Sequence, residues 1–495
     1  MIKVLLLIGI TFLHAEHNSR CSFGNINLRI DRPETQSYAF SSTGHFKIHY
    51  DITGQDAPSQ IDLNSNSVPD YIEEVAVAAE NARNIFINDM GYLPEIPDGD
   101  GVYDIYIEDR AWGAYGVNYP DHGNYCSNCS GVVGASWIII DNEYEEGSFL
   151  TSGLNTMRLT VAHEFFHAIQ QAYVLYPGSS RYFWEMTATW VEDIVVPDGN
   201  DYIYWVDQFF NNPDQDISDT DGYSIALFSH YLSSVIEGEQ NLMESNIIRE
   251  IWEHYATSSS AFSSIKNVLE NQYNSSFAYA WGDFCSRSHF SGVFDNMDNE
   301  IYYYPDQLLI EDTFNLNEFT ITENLQTGEF IFNNGESAAM KKFTVNEFAI
   351  INFNNFLSYD DNDLLIENID YEEFISIKPS NEGLNQVIQV NDNGGPYILY
   401  ENDNIFLTVV RDEGNGVTTL EYDIEYDPNP STPQNGDTNL NGTVDIVDIV
   451  LLISYIFGNI SLNEMQIDAA NVSGDEEEIL NIFDILLLID IILDS

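Results

Sequence analysis

His163-Glu164-Phe165-Phe166-His167 places two imidazoles four residues apart with a carboxylate beside the first. The stretch from Leu154 to Tyr173 carries Met157, Val161, Phe165 and Ile169 at helical spacing, which predicts a helix. Residues four apart on a helix share a face, so His163 and His167 can offer two nitrogens to one metal ion. Glu164 projects beside them and can take a proton from a metal-activated water. Pro177-Gly178 breaks the helix, and a second helical stretch begins near Arg181. Its Glu185 lies 18 residues after His167, a return distance that suits a third, carboxylate ligand. Two His and one Glu leave a fourth position open, as a catalytic zinc site requires. Glu192, seven residues after Glu185, is the rival ligand on the same face, two turns further along. Glu185 is preferred, and Glu192 and Asp193 read as supporting or surface carboxylates. The five-residue pattern alone recurs in unrelated helices; the downstream Glu and an export signal give it weight.

The elements that must hold these residues belong to a chain of 495 residues, long enough for two or three domains. With 44% hydrophobic and 13% aromatic residues the chain reads as packed and globular. A formal charge of −64, from 80 acidic against 16 basic residues, excludes nucleic acid as a partner and argues against anionic membranes. Calcium loading and solubility in a salty medium are its functional readings; a solvated acidic surface accounts for most of it. Lys3, the apolar run Val4–Leu13 and Ala15 read as a signal peptide over residues 1–15, so the protein is expected to be secreted. No other run qualifies as a membrane span; Ile485–Leu493 is interrupted by Asp490. The four cysteines are Cys21, Cys126, Cys129 and Cys285. Cys126-Ser127-Asn128-Cys129 lacks a second pair to complete a metal knuckle, so a local disulfide is the expectation there. Cys21 and Cys285 are left to pair or stay free.

Residues 16–44 form an N-terminal extension and 45–300 the expected catalytic domain. Strands are predicted at Phe46–Tyr50, Tyr103–Ile107 and Ser136–Ile140, with a helix over Tyr71–Met90. Trp137–Ile140 reads equally as a substrate-pairing edge strand and as a core strand. Helices follow near Tyr223–Ile236, Met243–Tyr255, Phe262–Gln272 and Phe277–Phe290. Residues 301–426 alternate in the manner of strands separated by Asn-, Asp- and Gly-rich loops, which predicts a β-sandwich. Residues 427–436 form a Pro-rich linker. In the last segment, 437–495, Asp445–Phe457 recurs as Asn481–Leu493 at an offset of 36.

That segment opens with Asp437, Asn439, Asn441, Asp445 and Asp448, oxygen donors at loop positions 1, 3, 5, 9 and 12, and Gly442 at the turn. Hard oxygen ligands at this spacing are EF-hand-like calcium chemistry. In the second copy Glu476, Glu477 and Glu478 add residues and no Gly marks the turn, while Asn481 and Asp484 keep the late positions. A third loop, Asp62, Asn64, Asn66, Asp70 and Glu73, has the same spacing with Ser67 at the turn. It reads as a calcium site or as an Asx-rich turn before a helix. Asp98, Asp100 and Asp104 form a weaker cluster.

The two His and the later Glu resemble the gluzincin peptidases, the clan of thermolysin and the large zinc aminopeptidases. A closer resemblance is to a family of secreted bacterial metalloproteases. Its members carry runs similar to His45-Phe46-Lys47-Ile48-His49-Tyr50, Val68-Pro69-Asp70-Tyr71-Ile72-Glu73, Tyr103–Ile107 and Val161–Gln170. That similarity spans roughly residues 40 to 300. It implies a zincin-like α+β domain with the metal between a strand-rich and a helical half. It also implies an oxyanion-stabilising donor in the helical half, where Tyr223 is preferred over His230, Tyr231 and His254. The duplicated C-terminal loops resemble a dockerin, a small all-α module, which implies a cohesin-like partner. The expected fold is thus multidomain: zincin-like catalytic domain, β-sandwich and EF-hand-like module. The expected function is a secreted zinc endopeptidase acting on protein or peptide. An aminopeptidase would need an acidic anchor for the free amine, usually in a Gly-rich segment, and this chain has none; a non-catalytic binding protein would have no use for Glu164 beside both His.

Overall fold

The computed structural model describes residues 21–23, 31–110, 114–125, 132–212 and 214–292, and, with short gaps, 306–494. The expected signal peptide, Cys126, Cys129, Asn441, Gly442 and Glu476–Glu478 lie outside the described residues. The chain is multidomain α+β. One compact unit gathers residues 1–178, 187–201 and 252–259; the other gathers 179–186, 202–251 and 260–495.

The first unit is built on a six-stranded sheet. Its strands are β1 (Cys21–Phe23), β2 (Ser37–Phe40), β3 (Phe46–Tyr50), β4 (Tyr103–Glu108), β5 (Gly116–Tyr125) and β6 (Val132–Asp141), in the order β1-β5-β6-β4-β3-β2. β3, β4 and β6 run parallel, and β5 is antiparallel to β6. Trp137–Ile140 therefore lies in an interior strand, flanked by β4 and β5; the core reading of that run is the correct one. Alternation in β3 sends Phe46, Ile48 and Tyr50 into the core. Helix α1 (Asp70–Arg83) starts after Pro69 with Asp70 and Glu73 in its first turn, where acidic side chains complement the helix dipole. It continues as a wider π-helical turn over Asn84–Asp89, so the predicted helix to Met90 is present but not regular.

Helix α2 (Gly153–Gln171) is buried on nearly every side from Thr156 onward. At 100° per residue, Phe165 projects opposite to His163 and His167. Its ring meets Phe46 edge-on at 5.0 Å and Tyr103 at 5.2 Å, and Phe166 meets Phe86 at 5.0 Å. The two Phe inside the motif thus pin the helix to the sheet and to α1 and its π turn. Helix α3 (Arg181–Val195) follows.

The second unit holds short helices α4 (Asp207–Asn211), α5 (Ala226–Tyr231), α6 (Ile247–Tyr255, whose last residues fall in the first unit), α7 (Ala261–Gln272) and α8 (Phe277–Ser288). Nine strands follow: β7 (Glu318–Ile321), β8 (Leu325–Phe332), β9 (Ala338–Val345), β10 (Ala349–Asp360), β11 (Tyr371–Lys378), β12 (Gln386–Gln389), β13 (Tyr397–Leu399), β14 (Asn404–Arg411) and β15 (Thr418–Asp427). They form a four-stranded sheet, β13-β10-β15-β8, and a five-stranded sheet, β12-β11-β14-β9-β7. Inner residues of both sheets, among them Phe332, Ile351, Ile375, Leu407 and Leu420, share one core. Helix α8 packs on this region: Gly282 sits under the Phe374 ring, Ser376 Oγ donates to Ser286 O at 3.0 Å, and His289 stacks on Phe406 at 4.2 Å. The C-terminal helices α9 (Ile446–Ile456), α10 (Glu464–Ala470) and α11 (Ile482–Asp494) have a separate small core containing Ile449, Leu452, Ile485 and Leu488.

Because Phe165 is fully buried between sheet and helix, Phe165→Ala should cost about 3–5 kcal/mol of stability. Phe165→Leu should cost less than half of that. Urea melts followed by tryptophan fluorescence would measure both; equal, small losses would mean the ring does not anchor α2.

Candidate metal centre

His163, His167 and Glu185 converge. One ligand atom from each lies within 4.8 Å of the others, and all three residues are buried. Among the described residues no other three His, Cys, Asp or Glu side chains do so. The His pair comes from one face of α2, as the spacing requires, and Glu185 from the first half of α3.

Each imidazole is held through the same nitrogen. His163 Nδ1 lies 2.6 Å from Glu192 Oε1, and His167 Nδ1 lies 2.7 Å from Gln170 Oε1. Since carboxylate and amide oxygens only accept, both Nδ1 atoms carry the proton and both Nε2 atoms keep a lone pair for a metal. Gln170 is itself fixed: its Nε2 donates to Thr187 Oγ1 at 3.1 Å, and Trp252 Nε1 donates to the same oxygen at 3.3 Å. Glu192, weighed as a rival ligand, is the orienting carboxylate of His163. Gln170 and Thr187 have no signature in the sequence, because nothing in their spacing separates them from other polar residues on a helix.

Two glycines missed in the sequence set how closely other segments approach. A Cβ at Gly116, the first residue of β5, would stand 2.6 Å from Glu164 Cγ and 2.7 Å from Thr160 Cγ2. A Cβ at Gly222, which has φ +90°, would stand 2.3 Å from Tyr182 O and 2.7 Å from Glu185 Cβ. Only glycine fits either place. Two positions on, Asn118 Nδ2 donates to Glu164 O at 3.2 Å and Gln171 Nε2 donates to Asn118 Oδ1 at 2.8 Å, which ties β5 to α2.

Of the four candidate oxyanion donors, Tyr231 donates to Asp283 Oδ2 at 2.8 Å and is committed there. His230 stacks on Tyr202, and burial pulls its pKa down to about 3, so it is neutral at physiological pH. Tyr223 is buried, and hydrogen-bonds Arg181, which also donates to Glu185 Oε1 at 3.4 Å. His254 is half-buried in α6.

The proposed calcium residues, Asn441 aside, fall in two loops, and among the described residues the carboxylates of neither loop converge as the His163, His167 and Glu185 atoms do. In the first, Asp62 accepts from Asn66 N and Ser67 N, Asp70 from Leu63 N, and Glu73 from the side-chain amides of Asn64 and Asn66. Ser67, at the turn position, has φ +72°. In the C-terminal loop, Asp448 accepts from Asn439 N at 2.9 Å and Asp445 N at 2.8 Å, and Asp445 caps α9. Asp437 is buried nearby, and its charge and that of Asp445 add to burial in raising the Asp448 pKa. The fourth residue of each loop is left-handed: Ser65 at φ +61° and Leu440 at +60°. The second C-terminal copy repeats the pattern, with Asp484 accepting from Ser473 N and Asn481 N, both at 2.9 Å. Asp98 and Asp104, in contrast, pair with Arg32, and Asp100 Oδ1 accepts from Val102 N. Cys285 is free and fully buried.

No protein-family model matches the chain, and no curated protein matches it. Among the described residues no helix is long and apolar enough to cross a membrane.

If the Nδ1 bonds orient the ligands, Glu192→Ala and Gln170→Ala should each weaken zinc affinity about tenfold to a hundredfold. Glu185→Ala should abolish stoichiometric binding. Competition with a chromophoric chelator reads both, and the reverse order would make Glu192 the ligand.

Proposed function

We propose that this chain is a secreted zinc endopeptidase of the gluzincin type. The observation that carries the reading is the convergence of His163, His167 and Glu185, with each imidazole presenting Nε2. Two neutral imidazoles and one carboxylate, all buried, are a borderline donor set that suits zinc and leaves room for further coordination. Zinc held there would polarise the scissile carbonyl and acidify water. Glu164 takes the proton of the attacking water and passes it to the departing amine nitrogen, so the amine leaves neutral. Glu192 and Gln170 hold the imidazoles in the required tautomer, and Tyr223 is the favoured donor to the developing oxyanion. The α+β unit around the site is read as zincin-like, and the paired sheets of the second unit as a β-sandwich.

The C-terminal helices are read as a dockerin-like module with EF-hand-like calcium loops, docking onto a cohesin-like protein. Repeated geometry at Asp448 and Asp484 supports this. So do the exposed Ile446, Val450, Phe483 and Leu486 on α9 and α11. The Asp62–Glu73 loop is read as a structural calcium site.

Mass-spectrometric mapping of cuts in a diverse peptide mixture tests the activity. Internal cuts that vanish in Glu164→Gln, with zinc content unchanged, are expected. N-terminal trimming alone would select an aminopeptidase, and no cuts a non-catalytic protein.

Calcium should raise the melting temperature of chelator-treated protein, and Asp62→Ala should reduce that rise. Asp437→Ala combined with Asp448→Ala should remove a separate part of it. Identical melts with and without calcium would eliminate both sites.

A further inference from the structure

Besides β2, the N-terminal extension meets the sheet in two places. Strand β1 pairs parallel with the start of β5 in the register Cys21↔Gly116, Ser22↔Val117 and Phe23↔Asn118. Further along, Arg32 is held by three carboxylates from different places in the chain. Its Nη2 lies 2.8 Å from Asp98 Oδ2 and 2.5 Å from Asp121 Oδ2, and its Nη1 pairs with Asp104. Asp104 also bonds His49 Nε2 at 2.6 Å.

The position of β1 gives it meaning. Gly116 is the residue whose missing side chain makes room for Glu164. A strand on the outer edge of β5 lies one strand spacing, about 4.8 Å, from that residue. An extended peptide adding to the same edge would satisfy the same backbone groups and pass beside the carboxylate. β1 already satisfies them. The remainder of β5 has no further strand on that edge among the described residues, and its Pro120 and the irregularity before Gly123 suit an edge.

We propose that the chain's own residues 21–23, latched by Arg32, occupy the outer edge of β5 at Gly116–Asn118, where an extended peptide substrate would add, and hold the protein in a self-inhibited state. This rests on the peptidase reading of the site. The contact is small enough to be displaced: three paired residues and one cation. The latch is charge-assisted, and removing Arg32 leaves Asp98, Asp104 and Asp121 to repel one another.

The test uses the full chain carrying Glu164→Gln, so that a bound peptide is not consumed. Fluorescein-labelled oxidised insulin B chain is titrated with zinc present, and its dissociation constant is read by anisotropy. Ser22→Pro removes a strand donor, and Arg32→Glu reverses the latch. Each should tighten binding at least tenfold, while Arg32→Lys should fall between them and the parent. Hydrogen exchange of peptides covering residues 116–118 should rise in both release variants. Binding unchanged within twofold, or undetectable in every variant, overturns the proposal, whether or not exchange rises. Tighter binding alongside a Glu164 parent that cuts no peptide would sink the peptidase reading and leave the self-occupied β5 edge standing.

Discussion

Two short hydrogen bonds fix which nitrogen each imidazole of the candidate metal centre presents: His163 Nδ1 to Glu192 and His167 Nδ1 to Gln170. An imidazole can present either nitrogen, and a ring free to choose would present both in turn. Engaging Nδ1 in both rings makes the choice permanent. It also requires that α2 and α3 pack closely enough for Glu192 to reach His163, and that Thr187 and Trp252 hold Gln170 in place. The buried aromatic packing of Phe165 and Phe166 serves that end: it immobilises the helix from which both rings project. Tertiary packing is therefore as much a part of the candidate ligand set as its donor atoms.

Glycines make the same demand from the other side. Gly116 and Gly222 bring backbone against Glu164 and Glu185 at distances no side chain would tolerate. Each brings a strand or loop directly against a residue of the candidate site. Neither glycine is part of a motif, and each stands at the start of a segment whose course is set by contacts elsewhere.

The legible parts of the sequence were those governed by local periodicity. His163 and His167 share a face because of helix geometry; α2 begins and ends within two residues of where the spacing puts it, and α3 begins at Arg181 as expected. The C-terminal repeat was equally plain, and Asp448 and Asp484 do occupy equivalent places. Strand β5 was invisible: Asn118-Tyr119-Pro120-Asp121-His122-Gly123-Asn124 has turn composition, and only pairing with β6 makes it a strand. Strand β10, with four Asn and Asp among its twelve residues, failed for the same reason. Trp137–Ile140 could not be placed at edge or centre because the strand before it, β5, was itself illegible in the sequence. Gln170 and Thr187 gained roles only from side-chain contacts. Whatever depends on one residue meeting another far along the chain was not written in a local pattern.

The Arg32 cluster has a consequence for the medium in which the protein can work. The chain has 16 basic residues against 80 acidic ones, and one of those few cations serves three carboxylates at once. Most other carboxylates must be neutralised by mobile ions. At about 0.15 M salt the screening length is ~8 Å, and it grows to ~30 Å at 0.01 M. Dilution thus lets the surface charges see one another across whole elements, while the contact pairs at Arg32 change little. A surface so rich in carboxylates is therefore expected to respond to ionic strength far more than its few contact ion pairs do.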